Sequence, residues 1–101
     1  MKRLFISQPM RGKTNEEIMS IKRKAKEKAE DILGCEVKLV DSFFINAFAD
    51  TDKEKPLWYL GAAIQVLSTA DVAIFCDGWQ NARGCRIEHE CAVEYGIKII
   101  E

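Results

Sequence analysis

The sequence has no apolar stretch approaching the ~20 residues needed to span a bilayer, and Met1-Lys2-Arg3 leads into only four apolar-leaning residues before Gln8. Neither a signal peptide nor an anchor is expected. Net charge is also nearly absent: the formal value is -1, which removes the simplest electrostatic reason for binding nucleic acid or an anionic membrane. The Lys-rich run from Lys22 to Lys28 is followed at once by acids and reads as a solvated helix face. The four cysteines, Cys35, Cys76, Cys85 and Cys91, contain no CxxC pair, so reduced thiols in a cytoplasmic protein are the expectation. Cys85 and the single histidine, His89, lie one helical turn apart. Two ligands do not make a zinc site, and neither a metal nor a cofactor is called for.

At 101 residues, with 48% apolar and 31% charged positions, the chain fits one globular domain spanning residues 1–101. Lys2 to Ser7 is a short apolar run ending in Ser-Gln-Pro, the profile of a buried strand. Thr14-x-x-Glu17 reads as a capping box. Ile18, Ile21, Ala25, Ala29 and Ile32 then recur at helical spacing up to Gly34. Glu36 to Val40 is a second strand, and Asp41 to Asp52 is irregular, with Phe43, Phe44, Ile45 and Phe48 too apolar to be freely solvated. Pro56 suits the first turn of a helix carrying Leu57, Leu60, Ile64 and Leu67. Asp71 to Cys76 is a near-continuous apolar strand, Asp77 to Arg83 a polar loop, Gly84 to Tyr95 a third helix, and Ile97 to Ile100 a last strand.

The order β-α-β-α-β-α-β requires right-handed crossovers and a parallel sheet between helices. The expected fold class is therefore α/β, three-layer α/β/α, with four strands in the flavodoxin-like order 2-1-3-4. Such a sheet reverses its winding between the first and third strands and opens a crevice beyond their carboxyl ends. The segments that empty into it are Ser7–Thr14 and Asp77–Glu88.

In the first segment a helix N-terminus, Arg11, Lys13 and two hydroxyls converge where an anion is stabilised. An ordinary turn with a capping box fits the same residues. The stretch also matches G-x-x-x-x-G-K-[ST] at every position but Ser7, with Asp77 in the place of a Walker B acid, so a Walker-type phosphate binder stands as a weaker alternative. In the second segment Gly84 permits close backbone approach, and Glu88 shares a face with Ala92 and Tyr95 that is expected to pack inward. A carboxylate near a helix start is also simply dipole-stabilised. Asp77 suits a sugar hydroxyl or a turn, and Trp79 a base or an interface.

Gly84-Cys-Arg-Ile-Glu88-His-Glu-Cys-Ala92 followed by Gly96-Ile-Lys resembles the G-x-x-x-E-x-x-x-A…G-K segment of the nucleoside 2-deoxyribosyltransferase superfamily. Thr69-Ala70-Asp71-Val72-Ala73-Ile74 is similar to its preceding strand, and Ser7-Gln8-Pro9-Met10-Arg11-Gly12 to the first-strand loop of its 2′-deoxynucleoside 5′-phosphate N-hydrolase branch. The form with Gly78-Trp79 looks closest to a compact bacterial and phage subfamily. The resemblance implies hydrolase or transferase chemistry at an N-glycosidic bond, with Glu88 as nucleophile. It also implies a 5′-phosphate bound by the loop of Ser7, Arg11 and Gly12.

The expected site is thus Glu88 and Asp77 for catalysis, with Ser7, Gln8, Met10, Arg11, Gly12, Trp79 and Gly84 for substrate. Phe5 stands where the superfamily has a tyrosine, and Ala63 near the position of its second acid. A catalytically inactive nucleotide-binding or sensing module is the alternative from another class. The expected partner is a small-molecule nucleoside or nucleotide, with no nucleic acid and no membrane. The aromatics Phe43, Phe44, Phe48, Trp58, Tyr59 and Trp79 raise the expectation of a homodimer or larger homo-oligomer.

Overall fold

The structure, a computed structural model, describes residues 1–40 and 55–101. The expectations for Asp41 to Asp52 lie outside the described residues. Four parallel strands, β1 (Lys2–Ser7), β2 (Val37–Val40), β3 (Val72–Phe75) and β4 (Lys98–Ile100), form one sheet in the order β2-β1-β3-β4. The helices are α1 (Asn15–Leu33), α2 (Lys55–Leu67) and α3 (Arg83–Glu94). This is the expected three-layer α/β/α arrangement and strand order. No described helix is long and apolar enough to cross a membrane.

Strand periodicity sorts the core into two layers. Leu4 and Ile6 of β1, with Val72 and Ile74 of β3, pack under α1 against Ala25 and Ala29. Phe5, Ala73 and Phe75 point to the other side, where Ala63 and Leu67 of α2 and Ala92 of α3 meet them. The same alternation puts Ser7 on the α3 side of the sheet. Alanines at the contacts let the helices approach closely: Ala29 and Ala92 are fully buried.

Beyond β3, a single turn of 3₁₀-helix (Trp79–Asn81) interrupts the segment expected to be a plain loop. Three apolar faces also shift from their expected lines. The stripe of α1 advances by fours through Ala25, Ala29 and Leu33, leaving Ile32 55% exposed. In α2 the inner face is Ala63, Val66 and Leu67, and Leu57 in its first turn is outward. Tyr95, expected on the inner face of α3, is 84% exposed because the helix ends at Glu94 and Tyr95 leaves helical geometry (φ -102, ψ 11).

The start of α1 is fixed by the expected capping box. The Thr14 hydroxyl accepts from the Glu17 N–H at 3.1 Å, and Glu17 Oε1 accepts from the Thr14 N–H at 3.0 Å. Thr14→Ala is expected to destabilise the fold by about 1 kcal/mol, read as a lower urea midpoint with an unchanged slope. An unaltered midpoint would show that the cap contributes nothing.

Candidate functional site

The ends of β1 and β3 are locked side by side before either loop departs. The Cys76 N–H donates to the Ser7 carbonyl at 2.9 Å, and Ser7 pairs with Phe75 in the sheet register. The β1 chain then runs through Gln8 and Pro9 into a tight turn, where the Lys13 N–H reaches the Met10 carbonyl at 3.2 Å. Gly12 supplies the left-handed residue of this turn, φ 79. From β3 the chain passes through the 3₁₀ turn and enters α3 at Ala82, whose side chain cannot cap the helix.

Glu88, one turn into α3, leans back across the sheet edge to β1. Its Oε1 accepts the Ser7 hydroxyl proton at 2.6 Å, a bond joining residues 81 positions apart. Ser7 is 2% exposed, and burial raises the Glu88 pKa while the Ser7 hydroxyl opposes that rise. Cys85 lies one turn earlier on the same helix face. Burial pushes its thiol up, Ser7 acts against that, and the Glu88 charge adds to it.

These groups line a hollow of about 220 Å³ bounded by Phe5, Ser7, Gln8, Ala63, Cys85 and Glu88. Its wall contains an unsatisfied acceptor. The Gln8 Nε2 donates to the Ile18 carbonyl at 3.3 Å, but its buried Oε1 has no partner among the described residues. Such orphaned atoms are rare in folded proteins and mark places where a partner is missing. A Cβ on Gly84 would meet nothing within 4 Å, and Pro9, Met10, Ala82 and Gly84 line both this hollow and an adjacent, wider one of about 510 Å³. Arg11, Arg83 and Arg86 stand around the wider hollow. Its size falls in the range of small-molecule sites, about 300–1,000 Å³.

The crevice therefore gathers Ser7, Gln8, Met10, Gly84 and Glu88 around one hollow and Arg11 beside it, with Gly12 shaping the turn. Two expected site residues are not brought there. Asp77 lines a separate hollow of about 340 Å³ on the α1 side, with Lys13, Lys24 and Lys28. It follows β3 on the far side of the sheet from Glu88. Trp79 stacks on His89, with centroids 4.0 Å apart and planes at 12°, and tilts against Phe75. One face of the indole is thus covered by imidazole, whose Nε2 lies 2.7 Å from Glu101 Oε1. Arg83 and Arg86 were not anticipated at the site. Their spacing of three at the start of a helix was the available signal. Among the described residues no group of three or more His, Cys, Asp or Glu side chains is placed to hold a metal.

A family model described as a domain of unknown function, DUF4406, matches residues 2–101. No curated protein matches the chain, and no solved structure does.

Proposed function

Because the chain belongs to the DUF4406 family, a domain of unknown function by its own description, its activity is argued from its site, and we propose that it cleaves the N-glycosidic bond of a nucleoside or deoxynucleotide with Glu88 as nucleophile. The observation that carries this reading is the buried carboxylate of Glu88, held by Ser7 at 2.6 Å at the base of an open hollow. Burial of an acid beside a single hydroxyl is costly for a merely structural group and useful for a reacting one. The resemblance of the Gly84–Ala92 segment to the nucleoside 2-deoxyribosyltransferase superfamily supports the same role.

In this mechanism Ser7 occupies Oε1, leaving Oε2 to attack the anomeric carbon. The new C–O bond forms as the C–N bond breaks, and the electron pair leaves with the base nitrogen. Water or an acceptor base then attacks the anomeric carbon, the C–O bond to Glu88 breaks with its electron pair returning to the carboxylate, and the attacking group's proton passes to the departed base. Negative charge at Glu88 also favours the oxocarbenium-like transition state. Arg11, at the rim, holds a phosphate of the substrate. The orphaned Gln8 Oε1 accepts from a sugar hydroxyl after a small side-chain rotation.

The test incubates the protein with deoxynucleosides, deoxynucleoside monophosphates and NAD and follows free base by chromatography. Release of base is expected, with an acidic limb of the pH–rate profile above the ordinary glutamate range, since burial raises the Glu88 pKa and the ionised form attacks. Ser7→Ala removes the hydroxyl that favours the carboxylate, so the limb is expected to move to higher pH. A limb that stays in place would separate Ser7 from the reaction. Phe5 and Ala63, both lining the hollow, favour a second reading, a nucleotide-binding module without chemistry. That reading prevails if no base is released while a ligand raises the melting temperature and Arg11→Ala abolishes the rise.

A further inference from the structure

The wider hollow carries more positive charge than one phosphate requires. Arg11 comes from the β1 loop, and Arg83 and Arg86 come from the first turn of α3 on the opposite side. No carboxylate of the described residues pairs with any of the three. The Arg86 Nη1 donates to the Gln80 carbonyl at 3.1 Å, which fixes the guanidinium over the 3₁₀ turn and leaves its other donors free. Beside these side chains the opening amides of α3 have no side-chain cap, and they add to the positive potential. Arg83 and Arg86 are three residues apart on one helix face, roughly 5–6 Å between Cβ atoms. That spacing lets each guanidinium engage its own phosphoryl group in a forked pair while Arg11 closes from the facing loop.

We propose that the rim formed by Arg11, Arg83 and Arg86 binds a pyrophosphate, so that the ligand is a pyrophosphate-bearing ribosyl compound rather than a nucleoside monophosphate. This assignment rests on the reading of the crevice as a nucleotide site and specifies its substrate class. The pyrophosphate lies in the wider hollow, and the sugar passes between Met10 and Gly84 toward Glu88. Nucleoside diphosphates and dinucleotides share this chemistry.

Binding is measured by calorimetry on the intact protein with orthophosphate, pyrophosphate, AMP, ADP and NAD, at fixed ionic strength. Pyrophosphate is expected to bind at least about tenfold more tightly than orthophosphate, and ADP than AMP, the increment of one added charge-assisted hydrogen-bond pair. Tighter binding of ADP than of NAD assigns the site to nucleoside diphosphates, and the reverse to dinucleotides. Arg83→Ala and Arg86→Ala are expected to remove the preference for pyrophosphate, and Arg11→Ala to weaken both anions. Arg83 and Arg86 are exposed, so these substitutions leave the core intact. Arg83→Lys and Arg86→Lys, which keep the charge and lose the fork, are expected to retain only part of the preference. Equal affinity for the two anions, or a preference that survives the Arg83→Ala/Arg86→Ala double variant, overturns the proposal. Pyrophosphate preference without base release upholds it while removing the glycosidase reading. Base release from monophosphates with KM unchanged in the double variant does the opposite.

Discussion

Glu88→Ala is expected to lower the rate of base release on the order of 10³-fold or more, the scale seen when a covalent nucleophile is removed. Among the described residues its side chain is the only carboxyl lining the inner hollow, so none of them replaces it from the same wall. Glu88→Gln is the sharper comparison. It keeps an acceptor for the Ser7 hydroxyl, preserves shape, and removes the nucleophile, so it should be as inactive as Ala. Activity in either variant within tenfold of the original would sink the assignment.

The Gln variant also predicts a stability difference of known sign. Glu88 has its folded pKa raised above the ordinary value by burial, so the folded state holds the proton more tightly than the unfolded chain. Its contribution is fully present below the unfolded pKa and is lost as pH rises through the folded one. Glu88→Gln has no such dependence. The two proteins should melt together in acid, and the variant should melt higher near neutral pH. Function would then be held at a measurable cost in stability.

Leu4→Ala is expected to have the largest effect on the fold, a loss of about 3 kcal/mol within a range of roughly 2–5. Leu4 is fully buried in β1, paired on one side with Leu39 of β2 and on the other with Val72 of β3. Its side chain packs in the layer beneath α1 with Ala25 and Ala29. Backbone pairing on both flanks limits how far the strand can collapse into the cavity. At roughly 4–8 °C per kcal/mol for a domain of this size, the melting temperature should fall by more than about 10 °C. A loss under about 1 kcal/mol would mean that the layer repacks freely, against the close packing described.

Much of this architecture was legible in the residues because its signals are local. The short apolar runs, the Thr14 box and Gly34 each act within a few positions, and the strand order follows from chain handedness. Glu88 was conspicuous as an acid on the face that also carries Ala92, and that face does meet the sheet. What was not legible depends on contacts between distant segments. The stacking of Trp79 on His89 needs the 3₁₀ turn to fold back over α3, and no periodicity announces it. Asp77 is expected beside Glu88 because it stands at the end of β3, but it lines the hollow that carries the lysines of α1. Arg83 and Arg86 carry no motif, and only the hollow they share with Arg11 sets them apart as a group.

The Ser7–Glu88 hydrogen bond links the first strand to the last helix across 81 residues. β1 is central to the sheet, and although β2 can pair with one of its edges early, the other edge waits for β3, made more than 60 residues later. The crevice is therefore assembled only after α3 has been made. A product nicked before α3 keeps Ser7 and loses Glu88, so the hydrogen bond at the base of the hollow forms only once α3 has docked on the sheet.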